Sequence, residues 1–192
     1  PRRSSGGALT PALHVIAPAL AGSDAALHLN WTSAGHGGWS GWTKLATPAL
    51  APGTQPAAVT LGSGAGSTLH LFACRDGASP LLHATLDVDG KLSTMAPVPG
   101  QPASLRSTDM AAAPWGTDLL VVLRDASTQG GDQLYISRLT PSGWTGAFTP
   151  LTSGGAPLRS TVTPALAQAP GGRLYLVTGD PAPPPGTGPV GR

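Results

Sequence analysis

The side chains able to do chemistry in this 192-residue chain are few: five histidines, five tryptophans, nine aspartates and one cysteine. All nine acidic residues are Asp, so general acid–base work would fall to Asp or His. The histidines first suggest a metal site. Zinc sites need close pairs such as His-x₃₋₅-His or Cys-x₂-Cys, and the sequence has neither. His14 and His70 fall at one position of an internal repeat, and His28 and His83 at another, shared with Tyr135. They alternate with Leu, which predicts that they face away from the apolar side of strands. His36 differs, because it sits in the turn Ser33-Ala34-Gly35-His36-Gly37-Gly38. No metal and no cofactor is expected.

Other motifs reduce to turns. Asp87-Val88-Asp89-Gly90 opens like a calcium loop but lacks the further oxygen ligands and the distal Glu. Asp-Gly between two strands is a hairpin turn. Gly62-Ser63-Gly64-Ala65-Gly66 misses the dinucleotide spacing, and no helical pattern follows it, so it reads as a hairpin connection. There is no Gly-x-Ser-x-Gly elbow, and Cys74 lies inside a strand pattern. The Asp-box of sialidases is echoed from Thr32 to Trp39 without its Asp. The chain is expected not to be an enzyme.

The tryptophans remain. Aromatic faces stack on the weakly apolar faces of sugar rings, and the indole N–H adds a donor. Trp31, Trp39, Trp42 and Trp144 belong to the repeat. Met95 and Phe148 stand where Trp42 does, which predicts a packing role for Trp42.

The elements that must position these residues are short strands. Losing Glu and all but two lysines removes the usual surface helix formers. Gly and Pro supply 27 and 21 residues, and they punctuate the chain periodically. Trp42, Met95 and Phe148 are 53 residues apart each time. Each is preceded by runs such as Leu27-His28-Leu29, Leu82-His83-Ala84 and Leu134-Tyr135-Ile136. Earlier still come Leu13-His14-Val15, Leu69-His70-Leu71, Leu119-Leu120-Val121 and Leu174-Tyr175-Leu176. Ala-rich runs around Ala58, Ala112 and Ala165 open the units. Four short strands per unit predict an all-β propeller of four-stranded antiparallel blades. One such sheet cannot bury both faces alone, so blades stack, with the Ala-rich strand innermost.

Residues 10–180 hold about three and a half blades: the first without its opening strand, two complete, and the opening pair of a fourth. They would form a four-bladed ring or a fragment of a larger propeller. Residues 1–9 and the Pro/Gly-rich 181–192 read as linkers. With Pro1 first and no signal-peptide pattern, the chain is expected to be a mature piece or an excised domain. Only 10% of residues are charged and the net charge is +2, without a basic cluster, so nucleic acid is not an expected partner. The longest strongly apolar run, Leu119 to Leu123, is too short to span a bilayer as a helix.

The stretch Leu27-His28-Leu29-Asn30-Trp31 … Trp39-Ser40-Gly41-Trp42-Thr43-Lys44-Leu45 resembles a blade of the PLL-like bacterial β-propeller lectins. The third unit keeps Trp144-Thr145-Gly146 and Phe148, while the second has Leu92 and Met95 in place of the tryptophans. The resemblance implies a secreted, non-catalytic carbohydrate-binding module for glycans, fucosylated ones among them. Trp31 and Trp39 would stack on the sugar, and His28, Asn30 and His36 would bond its hydroxyls. The competing expectation is a structural or protein-interaction propeller with no sugar site. A glycan-cleaving propeller enzyme ranks third. The module is expected to be part of a larger chain or an oligomer.

Overall fold

The computed structural model describes residues 1–3, 7–18, 26–33, 37–51, 55–75, 81–102, 105, 109–125 and 132–179. The described residues are all-β: antiparallel sheets and a single 3₁₀ turn at Gly64–Gly66. No helix among them is long and apolar enough to cross a membrane.

The sheets follow the chain as meanders. The first joins Ala12–Pro18, Leu27–Ser33 and Thr43–Lys44. The second joins Ala57–Leu61, Thr68–Cys74, Leu81–Leu86 and Ala96–Pro97 in that order. The third is built on Asp109–Trp115, Asp118–Asp125 and Asp132–Thr140. Its fourth strand is broken into Gly143–Trp144 and Thr149–Pro150, and Arg159–Ser160 adds at the far end. Ala165–Gln168 and Leu174–Val177 form a last hairpin. Among the described residues no sheet closes on itself.

Successive sheets pack face to face, and the two-residue period of a strand shows how. Along Thr68–Cys74, Leu71 and Ala73 join a core with Leu27, Leu29 and Leu45 of the first sheet. The alternate residues Phe72 and Cys74 join a core with Leu119, Val121 and Leu123 of the third. The second sheet is therefore a buried layer, and Phe72 is fully out of water. This is why its strand reads as a nearly continuous apolar run rather than an alternation. Asp109–Trp115, which opens the third sheet, lies against Ala57–Leu61 on one side and Ala165–Gln168 on the other. Small side chains, Ala57, Ala58, Ala111, Ala112 and Ala113, allow these opening strands to approach. Within the third sheet Arg124 ties Asp109 of one strand to Asp132 of another.

Register sharpens the repeat. In the closing strands Lys44 stands opposite His28, Pro97 opposite Leu82 and Pro150 opposite Tyr135. His28 therefore shares its position with Leu82 and Tyr135, not with His83. His83 stands opposite Ala96, as Leu29 does opposite Thr43 and Ile136 opposite Thr149. A slip of one residue sends a side chain to the other face of the sheet. The shared position of His14 and His70 does hold: His14 precedes Ile16 as His70 precedes Phe72, and these lie opposite Leu29 and His83. In the last hairpin Leu166 is opposite Leu176, so Leu166 rather than Ala165 stands where Ala58 and Ala112 do.

Candidate functional site

Ser40, Ser93 and Thr145 occupy one repeat position and form one device. Ser40 N–H donates to Trp31 O at 2.8 Å, Ser93 N–H to Thr85 O at 2.8 Å and Thr145 N–H to Arg138 O at 3.0 Å. The hydroxyl of Ser40 accepts from Trp31 N–H at 3.1 Å, and that of Ser93 from Thr85 N–H at 2.9 Å. The Ser of Trp39-Ser40-Gly41-Trp42 therefore locks the closing strand. It leaves the flanking tryptophans to be placed by the sheet.

The sequence-derived candidates fall on two faces. Trp31 is opposite His14, and with Leu27 and Leu29 it faces the second sheet. His28 and Asn30 are on the other face, opposite Ala17 and Val15. Trp31 is half-buried, and the guanidinium of Arg2 lies 4.8 Å from its ring centre. Asn30 is half-buried, and its Oδ1 accepts from the Ser40 hydroxyl at 3.2 Å. His28 Nε2 is buried with no hydrogen-bond partner. Trp39 is 51% exposed and Trp42 55%. His36 lies outside the described residues. The structure thus sets His28 and Asn30 on one face of the first sheet and Trp31 on the other, with Trp39 exposed next to Ser40.

Trp42 is not packed as its repeat position predicts. Its equivalents Met95 and Phe148 are buried, each against the sheet that precedes its own. The first sheet has no such neighbour among the described residues, so the same position emerges into solvent.

The expectation that the histidines face away from the apolar side holds for His28, on the other face from Leu27 and Leu29, but is overturned for His70 and His83, because both faces of the second sheet are packed. His83 stacks on Phe72 at 4.7 Å between ring centres and meets the edge of Trp144 at 5.8 Å. His70 Nδ1 and His83 Nε2 share a hydrogen bond of 3.0 Å. Burial and then the neighbouring His70 push the His83 pKa down to about 4, and burial lowers that of His70. Burial, Arg2 and the N-terminal ammonium push His14 down to about 4 as well. Burial and then Asp109 raise the Cys74 thiol to about 12. These histidines are neutral at pH 7 and the thiol is protonated, so none is poised as a cation, acid or thiolate nucleophile. No group of three or more His, Cys or Asp side chains among the described residues could hold a metal ion.

Two grooves open between the sheets at equivalent places. One, of about 290 Å³, lies between the hairpin turns of the second and third sheets, lined by Leu61, Gly62, Thr68, His70, Gly116 and Thr117. The other, between the first and second sheets at His14, has only about 20 Å³ left. Pro1 lines the smaller groove, and Arg2 lies beside it on His14. Arg2–Arg3, inside the stretch 1–9 read from sequence as a linker, pairs with Leu9–Thr10. Arg2 is buried, and its Nε donates to His14 Nε2 at 3.2 Å. The turn at Asp87–Gly90 makes room for it: a Cβ on Gly90, at φ +82°, would fall 1.5 Å from Arg2 Nη1. That turn is closed by Asp87 Oδ1, which accepts from Asp89 N–H at 3.0 Å and Lys91 N–H at 2.8 Å. Sequence reasoning missed the Arg2 plug because its partners are distant in the chain and its flanks are rich in Gly and Ser.

No protein-family model and no curated protein matches the chain.

Proposed function

We propose that the chain is a secreted, non-catalytic carbohydrate-binding module of β-propeller type, in which the packed sheets are blades. The contact of the opening strand Asp109–Trp115 with both Ala57–Leu61 and Ala165–Gln168 supports that arrangement, because opening strands converge where blades surround an axis. The observation that carries the sugar reading is Trp39, an indole about half exposed next to Ser40, which bonds to the Leu27–Ser33 strand. An exposed aromatic face costs solvation in the free protein and is repaid by stacking on a ligand. Asn30, bonded to Ser40 beside it, is the polar neighbour best placed to meet hydroxyls. Fucosylated glycans are the ligands that the sequence resemblance implies.

A second reading, a protein-interaction module, is favoured by the apolar side chains exposed on the same face, Leu13 and Val15. A glycan array probed with this chain separates the two. Retention on a defined set of glycans, competed by the free monosaccharide, is the expected result. Failure to bind any glycan overturns the sugar reading and leaves the interaction module.

A further inference from the structure

Two sheet faces are apolar and uncovered among the described residues, and the repeat relates them. On the first sheet Leu13 is 60% exposed, Val15 38% and Trp42 55%; on the last hairpin Tyr175 is 52% exposed and Val177 65%. The first set looks away from the second sheet, since Ile16, Leu29 and Trp31 on the opposite side pack toward it. The second set lies on the face of the last hairpin opposite its half-buried residues Leu166, Leu174 and Leu176.

Internal interfaces show how such faces mate. Val15, Leu71 and Val121 share one repeat position, and Ile16 and Phe72 the next, on the opposite face. Val177 follows Leu174-Tyr175-Leu176 as Phe72 follows Leu69-His70-Leu71. Between the first and second sheets Ile16 meets the core containing Leu71. Between the second and third sheets Phe72 lies in one core with Val121. Each interface thus joins the Val177 position of one sheet to the Val15 position of the next. Val177 and Val15 are the two members left without a mate.

We infer that copies of this chain associate head to tail, the Tyr175–Val177 face of one copy docking on the Leu13–Val15–Trp42 face of the next. The joint continues the packing already present twice within the chain. Leu92 and Trp144, equivalent to Trp39, stay only half-buried beside their neighbours, so docking leaves Trp39 within reach of solvent. The contact is heterologous, and it propagates until a ring closes or a filament grows.

The test is light scattering on size-exclusion fractions of the whole chain and of two variants, Val15→Asp and Val177→Asp. Both positions are exposed, so each variant keeps the wild-type circular dichroism. Wild type shows mass rising with concentration above that of one chain. Each variant alone is monomeric, because one of its two faces is blocked. An equimolar mixture forms a one-to-one dimer, because each variant retains the face the other lacks. Leu13→Asp and Tyr175→Asp repeat the experiment should either first variant fold poorly. A wild-type chain that stays monomeric at every concentration overturns the inference. So does a mixture of folded variants that stays monomeric. Neither outcome bears on glycan retention, which is read separately at Trp39.

Discussion

The two internal interfaces share one geometry and differ in chemistry. Between the first and second sheets the core is aliphatic, Leu27, Leu29, Leu45, Leu71, Leu82 and Met95, and Arg2 lies on His14 beside the adjoining groove. Between the second and third sheets a largely aliphatic core, with Leu119, Val121 and Leu123, also takes in the aromatic rings of Phe72, Phe148 and Trp144, with His83 stacked on Phe72, and the equivalent groove stays open. His14 and His70 hold the same repeat position, yet one is held by a guanidinium and the other by a second imidazole. The repeat determines where a side chain points. Its particular neighbours determine whether that place is filled, polar or open.

The largest effect should come from emptying the interface that holds those rings. Phe72→Ala removes a fully buried ring that faces His83 and Trp144. It should cost about 3–5 kcal/mol, read as a large drop in denaturant midpoint. Val15→Ala, half exposed at the unmated face, should change it by a few tenths at most. Equal losses at the two positions would mean that the sheets do not stack as described.

Acid should weaken the second interface next. A folded His83 takes a proton only near pH 4, while an unfolded one does so near pH 6.5. The unfolded chain binds more protons across that window, so the stability held by neutral His83 is complete above about pH 6.5 and falls as pH drops toward 4. His83→Leu places there the residue found at the equivalent Leu29 and should flatten part of the decline. Melting curves from pH 7 to pH 4 give the comparison. An unchanged slope in the variant would show that other groups carry the acid response.

A smaller effect is expected from opening the plugged groove. Arg2→Ala removes the contact with the Trp31 ring and the bond to His14. The loss should be about 1 kcal/mol, as for a single cation–π contact. The His14 pKa should rise from about 4 toward its ordinary value, because water and the loss of the nearby charge both favour the imidazolium. NMR titration of the His14 ring reads it directly, and an unmoved pKa would remove Arg2 from the account.

Much of the sheet order was legible in the sequence, since the runs at Leu13, Leu27, Leu69, Leu82, Leu119, Leu134 and Leu174 all became strands. The faces were less so. His28 and His83 look alike as Leu-His pairs, but only the closing-strand ladder shows them one residue out of step. Trp42 looked like core because Met95 and Phe148 are core, yet burial also needs a neighbouring sheet. The Arg2 plug was hidden because its contacts are non-local and its flanking Gly and Ser resemble a linker. Of the expected sugar-binding residues, Trp39 emerged exposed, whereas Trp31 is half-buried toward the second sheet beside Arg2.

The most direct test compares two tryptophans at one repeat position, Trp39 and Trp144. Trp144 sits edge-on to Phe72 and His83, while Trp39 faces solvent. Trp144→Ala should lose about 2–3 kcal/mol of stability and melt several degrees early. Trp39→Ala should melt with wild type and lose retention on the glycans that wild type binds. A Trp39→Ala protein that melts as early as Trp144→Ala, or that binds glycans as wild type does, would contradict the account.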